Sequence, residues 1–320
     1  MSEILKVENL KKYFVKKSFF SSKTSVVKAA DDISFSVEKG EVFVLAGESG
    51  SGKSTIARLI LKAIEADSGK IIFDGEEIKN DSKSLAKIRM KCQMIHQDPY
   101  ESINPRMKVF DIISEPLEIH GVGKAERRSR VLDTLREVRL EPAEDIAKKY
   151  PHMLSGGQRQ RIVLARALVL RPDVIIADEP VSMLDVSIRA EVLELMKELQ
   201  KKHNITFIYI THDLATARHF GTRIAILYLG KIVEVGPIDE VLLHPKHPYT
   251  QALIDALSEP DPENLYKEKK IRINDPLDID VYEGCRFRAR CPYAIEKCIE
   301  EPPLERKGEE RDVACFVPVE

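Results

Sequence analysis

GESGSGKST, residues 47–55, is the stretch from which the rest of the chain is read. Gly47, Gly52, Lys53 and Ser54 stand at the spacing G-x-x-x-x-G-K-[ST]. Glycines let a backbone curl until its N–H groups face an anion, and a helix starting there adds its positive end. The flanks suit that geometry. EVFVLA at 41–46 reads as a buried strand, and STIARLILKAI from Ser54 onward reads as an amphipathic helix. The loop Gly47, Glu48, Ser49, Gly50, Ser51, Gly52, Lys53, Ser54 and Thr55 is therefore a candidate phosphate cradle. Lys53 is placed to reach the terminal phosphates of a nucleotide and Ser54 to hold Mg²⁺.

Further along, VIIADE at 174–179 is a second apolar strand, ending on two carboxylates. The C-terminal ends of strands are where open α/β sheets bind ligands. A DE pair alone is more often a solvated turn. Together with a phosphate loop, Asp178 becomes a Mg²⁺ holder, directly or through water, and Glu179 the group that orients or deprotonates water. Residues 154–158 read LSGGQ: Ser155 can cap the following helix, and Gly156 and Gly157 expose N–H groups at its start. That makes a second anion site in a chain with one phosphate-loop lysine.

Other segments complete the pattern. The first 97 residues read as strands around one helix, with a strand at 33–37 and an Asp74-Gly75 hairpin in IIFDGEEI. A helical insertion spans 98–158, a helix lies near 187–202, ITFIYITHD is a strand, and RIAILYLGKIVEVG is a strand pair turning near Gly230. Strands alternating with helices argue for a mostly parallel sheet covered on both faces, an α/β fold. SEPDPENLYKEKK, from 258, reads as a polar linker, and a Cys-rich tail follows.

Bulk properties narrow the function. The chain has 320 residues, enough for one large and one small domain, and is 43% hydrophobic, which excludes a disordered chain. Its 50 basic and 52 acidic residues give a net charge of -2, with no bulk electrostatic grip on nucleic acid. Neither a signal peptide nor a membrane-spanning apolar run is visible, so service at a membrane requires partner chains.

The motifs, in this order, resemble the ATP-binding subunits of ABC transporters over about residues 4–257. Within the resemblance, Gln97 in IHQDP matches the Q-loop, Asp185 in SMLDVS the D-loop, and His212 in ITHDL the switch histidine. Phe14, with Tyr13 beside it, falls at the aromatic that stacks on adenine. Met183 departs from the usual Ala. The resemblance implies a P-loop NTPase fold with a RecA-like core, an antiparallel β subdomain and a helical subdomain. It implies a head-to-tail dimer in which LSGGQ (Leu154, Ser155, Gly156, Gly157, Gln158) of one chain meets the ATP held by the other. Glu179, His212 and Gln97 would serve hydrolysis, with Mg²⁺ near Ser54, Gln97 and Asp178.

HQDPYESINPRM at 96–107, YPHMLSGGQRQR at 150–161 and HPKHPYTQAL at 244–253 are similar to the oligopeptide/dipeptide importers, particularly the second of their two paralogous ATPases. A nucleotide-binding domain at 1–257 and a C-terminal domain at 258–320 follow. The implied partners are two permease subunits, a paralogous or identical ATPase and an extracytoplasmic solute-binding protein, with this chain at the cytoplasmic face of the membrane. Related systems serve nickel or oligosaccharides such as β-glucans, and the cargo is not readable. A non-transport ABC ATPase is a rival, but the long coiled-coil insertion or second ATPase domain typical of those is missing here.

Cys285, Cys291, Cys298 and Cys315 follow C-x5-C-x6-C-x16-C. Structural zinc sites usually begin with a closer pair, and common ferredoxin runs are spaced differently. The resemblance implies a [4Fe–4S] cluster, with Zn²⁺ the alternative and four unrelated thiols the third reading. A metal staple would suit a tail too small for much of a core.

Overall fold

The computed structural model describes residues 2–17, 24–256 and 282–319. The linker expected from 258 lies outside the described residues.

In chain order the elements begin with β1 (Glu3–Lys17), β2 (Thr24–Glu38), β3 (Val42–Ala46), α1 (Lys53–Ile60), β4 (Ser68–Phe73) and β5 (Glu76–Glu77). There follow α2 (Ser82–Lys91), β6 (Cys92–Ile95), α3 (Pro99–Ser102), α4 (Val109–Ile119), α5 (Lys124–Glu137), α6 (Ala143–Ile146) and α7 (Gly156–Leu168). The remainder is β7 (Val174–Asp178), α8 (Val186–His203), β8 (Thr206–Thr211), α9 (Leu214–Phe220), β9 (Arg223–Tyr228), β10 (Lys231–Pro237), α10 (Ile238–Leu243), α11 (Pro248–Asp255), β11 (Glu305–Arg306) and β12 (Asp312–Val313).

Two compact units divide these residues. One comprises 1–5, 37–42 and 73–210; the other comprises 6–36, 43–72 and 211–320.

In the first unit β6, β7 and β8 pair in parallel, with Met94 opposite Ile176 and Ile176 opposite Ile208. Every residue of β7 and β8 is buried. That is why both read as unbroken apolar runs rather than alternating ones: helices cover both faces of a parallel sheet. The helical insertion forms α3 to α6, and Pro116 sits inside α4. Its apolar stripe Val109, Ile112, Ile113 and Leu117 is fully buried. Such a stripe at 3.6-residue spacing holds a helix by packing rather than by propensity.

In the second unit β3 pairs parallel with β9, and β10 returns antiparallel to β9 through Leu229 and Gly230, both at positive φ. Gly230 is required there, since a Cβ would lie 2.2 Å from the Lys28 carbonyl oxygen. The Cys-rich tail belongs to this unit. Its β12 adds to β10, with Glu234 opposite Val313, and Ala314 N–H donates to the Val233 carbonyl at 2.8 Å. A buried ion pair, Arg311 with Glu234, fastens the join. The Glu234 carboxylate also accepts the backbone N–H groups of Lys246 and His247 at 3.0 Å, so this buried charge is satisfied on several sides.

Two elements correct the sequence expectation. The first 97 residues hold a second helix, α2, and a long β1 that was not anticipated. In α2 only Ile88 is buried, so it has no apolar stripe to read; Asp81 starts it by accepting the N–H groups of Lys83 and Ser84. In β1 Asn9 takes φ 48, and the buried alternation shifts phase across it, from Leu5 and Val7 on one side to Leu10 on the other. Among the described residues no helix is long and apolar enough to cross a membrane.

Candidate nucleotide-binding site

The candidate phosphate loop lies in the second unit. Gly47, Gly50 and Gly52 all have positive φ. A Cβ on Gly47 would stand 2.2 Å from the Leu227 carbonyl oxygen, and one on Gly52 2.0 Å from that of Ala29. Two of the three glycines are thus demanded by close backbone approach as well as by dihedral. The loop wraps around Lys53, which is 5% exposed. Its ammonium donates to the carbonyls of Gly47 at 2.7 Å and Glu48 at 2.9 Å. Gly52 is the N-cap of α1 and supplies no side-chain cap. A helix start without a side-chain acceptor leaves donors for an anion. Ser54 is exposed and Thr55 half-buried at that start, while Ser51 is buried and its carbonyl accepts Gly230 N–H at 2.8 Å. Ser49 is exposed.

Glu48 is the loop residue with long-range partners. Its N–H donates to the Tyr249 hydroxyl at 2.9 Å, and its carboxylate accepts the Arg290 guanidinium at 3.1–3.3 Å. Tyr249 comes from α11 and Arg290 from the tail. Sequence spacing carries no signal for contacts about two hundred residues apart, although both residues lie inside the strings HPKHPYTQAL and GCRFRARCP.

The two aromatic candidates differ. The Tyr13 hydroxyl donates to Asp31 at 2.5 Å and the ring is half-buried, whereas Phe14 is 41% exposed. Asp31 in turn pairs with the tail's Arg286, in a buried contact. Burial pushes the Asp31 carboxyl up, but Tyr13, Lys231, Arg286 and Lys28 together hold it below the usual carboxylate range. Burial and Asp31 push the Tyr13 phenol up to about 12. His212 is exposed beyond β8, one residue before Asp213, which caps α9 by accepting from Ala215 and Thr216 N–H.

The first unit holds the other candidates. Asp178 closes β7 and is 9% exposed. Glu179 follows at φ 48, a left-handed conformation that non-glycine residues rarely take and that concentrates at functional positions. Its N–H donates to Ile210 O at 2.9 Å, which holds the strained residue against β8. Gln97 Nε2 donates to Glu179 Oε2 at 3.0 Å, so two residues 82 apart in sequence meet. In LSGGQ, Leu154 is buried and Ser155 is the N-cap of α7 in a reciprocal capping box with Gln158. Gly156 is exposed at the start of α7. Gly157 is pressed against α8: a Cβ would fall 2.6 Å from Ile188 Cγ2. Asp185 caps α8 by accepting Ile188 N–H at 3.1 Å.

Cys285, Cys291, Cys298 and Cys315 line one cavity of the second unit, together with His247 and Phe287. They are close enough to sense one another's charge. Burial comes first in raising the thiols of Cys285, Cys291 and Cys315, Cys285 to about 11 and Cys315 to about 12. Four sulfur donors around one cavity are the chemistry a thiolate-held centre needs. Among the described residues no three His, Cys, Asp or Glu form a metal-holding group. Cys92 is buried in β6, remote in sequence from these four.

Residues 30–182 match the family described as ABC transporter, and residues 233–298 match the oligopeptide/dipeptide transporter C-terminal region. A dipeptide transport ATP-binding protein of Haemophilus influenzae is 43% identical over 98% of this chain and 96% of its own length. An oligopeptide transport ATP-binding protein of Bacillus subtilis is 47% identical over 93% of this chain and 97% of its own. Among solved structures, cbiO1 of Clostridium perfringens, part of an ABC transporter complex, superposes with a TM-score of 0.66 at 30% identity, covering 76% of this chain and 92% of that one. The ATP-binding cassette MJ0796, seen as a post-hydrolysis dimer with ADP and Pi, gives a TM-score of 0.64 at 30% identity, over 73% of this chain and 99% of that one. The chain belongs to the ATP-binding subunits of ABC transporters, in the branch that carries the oligopeptide/dipeptide transporter C-terminal region.

Proposed function

We propose that this ATPase energises uptake of oligopeptides or dipeptides through partner permeases. The observation that carries the reading is the C-terminal region matched at 233–298, which full-length relatives named for peptide transport support. The same reading supplies the partners: two permease subunits, a solute-binding protein outside the membrane, and a second ATPase, paralogous or identical, with this chain at the cytoplasmic face.

In this reading MgATP lies on the loop 47–55. Lys53 would exchange its loop carbonyls for the β- and γ-phosphates, and Ser54, Asp178 and Gln97 would hold Mg²⁺, which neutralises phosphate charge when bound. Glu179 receives a proton from the attacking water, and His212 steadies the γ-phosphate. The glycines of a partner's LSGGQ offer further N–H groups from a capped helix start. ATP favours the closed dimer because it gains that second set of contacts only there.

Cys285, Cys291, Cys298 and Cys315 would hold a [4Fe–4S] cluster, with Zn²⁺ as the alternative; the shared cavity supports this. The cluster would staple a tail with little core of its own. Binding either metal displaces the thiol protons. Anaerobically purified protein is expected to be brown and to carry about four irons per chain; colourless protein with one zinc per chain would assign the site to zinc instead.

Mass spectrometry of the ligand that co-purifies with the solute-binding protein encoded beside this gene tests the cargo. Short peptides are expected. Sugars or nickel would move the transporter to another cargo and leave the ATPase chemistry intact.

A further inference from the structure

Arg290 stands in the Cys-rich tail, yet its guanidinium reaches the second residue of the phosphate loop. Its two terminal nitrogens lie 3.1–3.3 Å from the Glu48 carboxylate, a forked contact. The same guanidinium donates to the Tyr228 hydroxyl at 3.3 Å and lies 5.8 Å from the ring centres of Tyr228 and Phe287. Tyr228, Tyr249 and Phe287 pack on one another with centroids 4.5–5.5 Å apart, and Tyr249 holds the Glu48 N–H. The Arg290 side chain is 17% exposed, so it is a seated group rather than a surface arm.

Glu48 is a peculiar residue for its place. A carboxylate in a loop built to receive a polyanion repels what the loop must bind. Its backbone carbonyl accepts from Lys53, whereas its carboxylate is turned to Arg290. One contact thus does two things: it cancels the wrong-sign charge, and it fixes the residue whose carbonyl seats the lysine.

We infer that Arg290 is a positioning residue for nucleotide binding, acting from the tail on Glu48 to neutralise and orient the phosphate loop of its own chain. The inference rests on the reading of residues 47–55 as the ATP site. It gives the tail a task in the ATPase cycle: Cys285 and Cys291 bracket Arg290 in sequence, so whatever orders those two thiols also orders the guanidinium. By reciprocity, nucleotide in the loop stabilises the tail by the same free energy that the tail lends the loop.

The test is steady-state ATP hydrolysis by the full chain at two ionic strengths. Arg290→Met is expected to raise KM for MgATP about tenfold in low salt while kcat changes less than about twofold. The KM penalty should shrink markedly near 0.5 M salt, where screening acts over a few ångström. Glu48→Gln added to Arg290→Met should return KM toward the wild-type value, because the uncompensated charge is gone. A purely structural role for Arg290 predicts neither the salt dependence nor the rescue. An unchanged KM in Arg290→Met, or a double variant as weak as the single, overturns the inference. Should Arg290→Met not fold, Arg290→Lys decides: KM within about threefold of wild type is expected from the retained cation, and a full tenfold rise overturns it. Lys53→Ala separates the two layers. If it binds nucleotide normally, the loop assignment itself fails; if it loses nucleotide while Arg290→Met retains it, the assignment stands and only this inference falls.

Discussion

Gln97 donates to the Glu179 carboxylate at 3.0 Å, tying the segment after β6 to the residue after β7. Glu179 carries the positive φ of a held, strained position, and its N–H is anchored on Ile210. In its proposed role as the base that takes a proton from water, Glu179 would gain from such fixation, since positioning and charge stabilisation are most of what phosphoryl transfer asks of a protein.

Glu179→Gln keeps the side chain's shape but removes the proposed base. ATP turnover should fall by about a hundredfold or more, with nucleotide affinity retained. Phosphate release measured beside equilibrium nucleotide binding checks this. Unchanged turnover would remove Glu179 from the reaction.

Glycine substitutions in the phosphate loop should separate dihedral strain from collision. At Gly50 an added Cβ meets nothing within 4 Å, so Gly50→Ala carries only the left-handed penalty, about 1–2 kcal/mol. At Gly52 the Cβ would strike the Ala29 carbonyl oxygen at 2.0 Å, and the backbone has to move. Gly52→Ala should therefore abolish nucleotide binding while Gly50→Ala weakens it. Fluorescent-nucleotide titration of both variants, with thermal melts as a folding control, tests the order.

The two aromatic candidates for adenine separate by substitution. Phe14 offers an exposed ring, and the Tyr13 hydroxyl is committed to Asp31. Phe14→Ala should lower ATP affinity by about 1–3 kcal/mol, the usual worth of a base stacked on a ring. Tyr13→Phe should leave ATP affinity in place and lower stability by about 1 kcal/mol through its lost hydrogen bond. A weakening by Tyr13→Ala with Phe14→Ala silent would place adenine on Tyr13.

Asp31 predicts an acid limb of stability. Its folded pKa lies below the ordinary value through Tyr13, Lys231, Arg286 and Lys28, against the opposing effect of burial. A depressed carboxylate contributes stability that is present above its unfolded pKa and is lost as pH falls through its folded pKa. Arg286→Met removes one of the groups that compensate the buried carboxylate and leaves Tyr13, Lys231 and Lys28 in place, which costs about 1–3 kcal/mol at neutral pH and shifts the acid loss to higher pH. Urea unfolding of wild type, Arg286→Met and Arg286→Met/Asp31→Asn across the acid range measures both; the double variant should recover most of the loss.

What the linear chain determined is local. Continuous apolar runs read as buried parallel strands, and β3, β7 and β8 are fully buried. The glycine spacing of 47–52 read as a curled loop, and its dihedrals carry that curl. Ser155 read as a helix cap and is one. In each case the cause lies within a few residues: periodicity, a missing Cβ, a side-chain acceptor. Where a local signal was weak or interrupted, the reading lapsed, as in polar α2 and in β1 with its Asn9 kink. Tertiary structure decided the long-range pairings. Gln97 on Glu179, Arg286 on Asp31, Arg290 on Glu48 and four cysteines around one cavity join residues whose separation in sequence carries no periodic trace. Such contacts are set by how buried strands stack and by the cost of leaving a charge without a partner, and both are properties of the packed molecule.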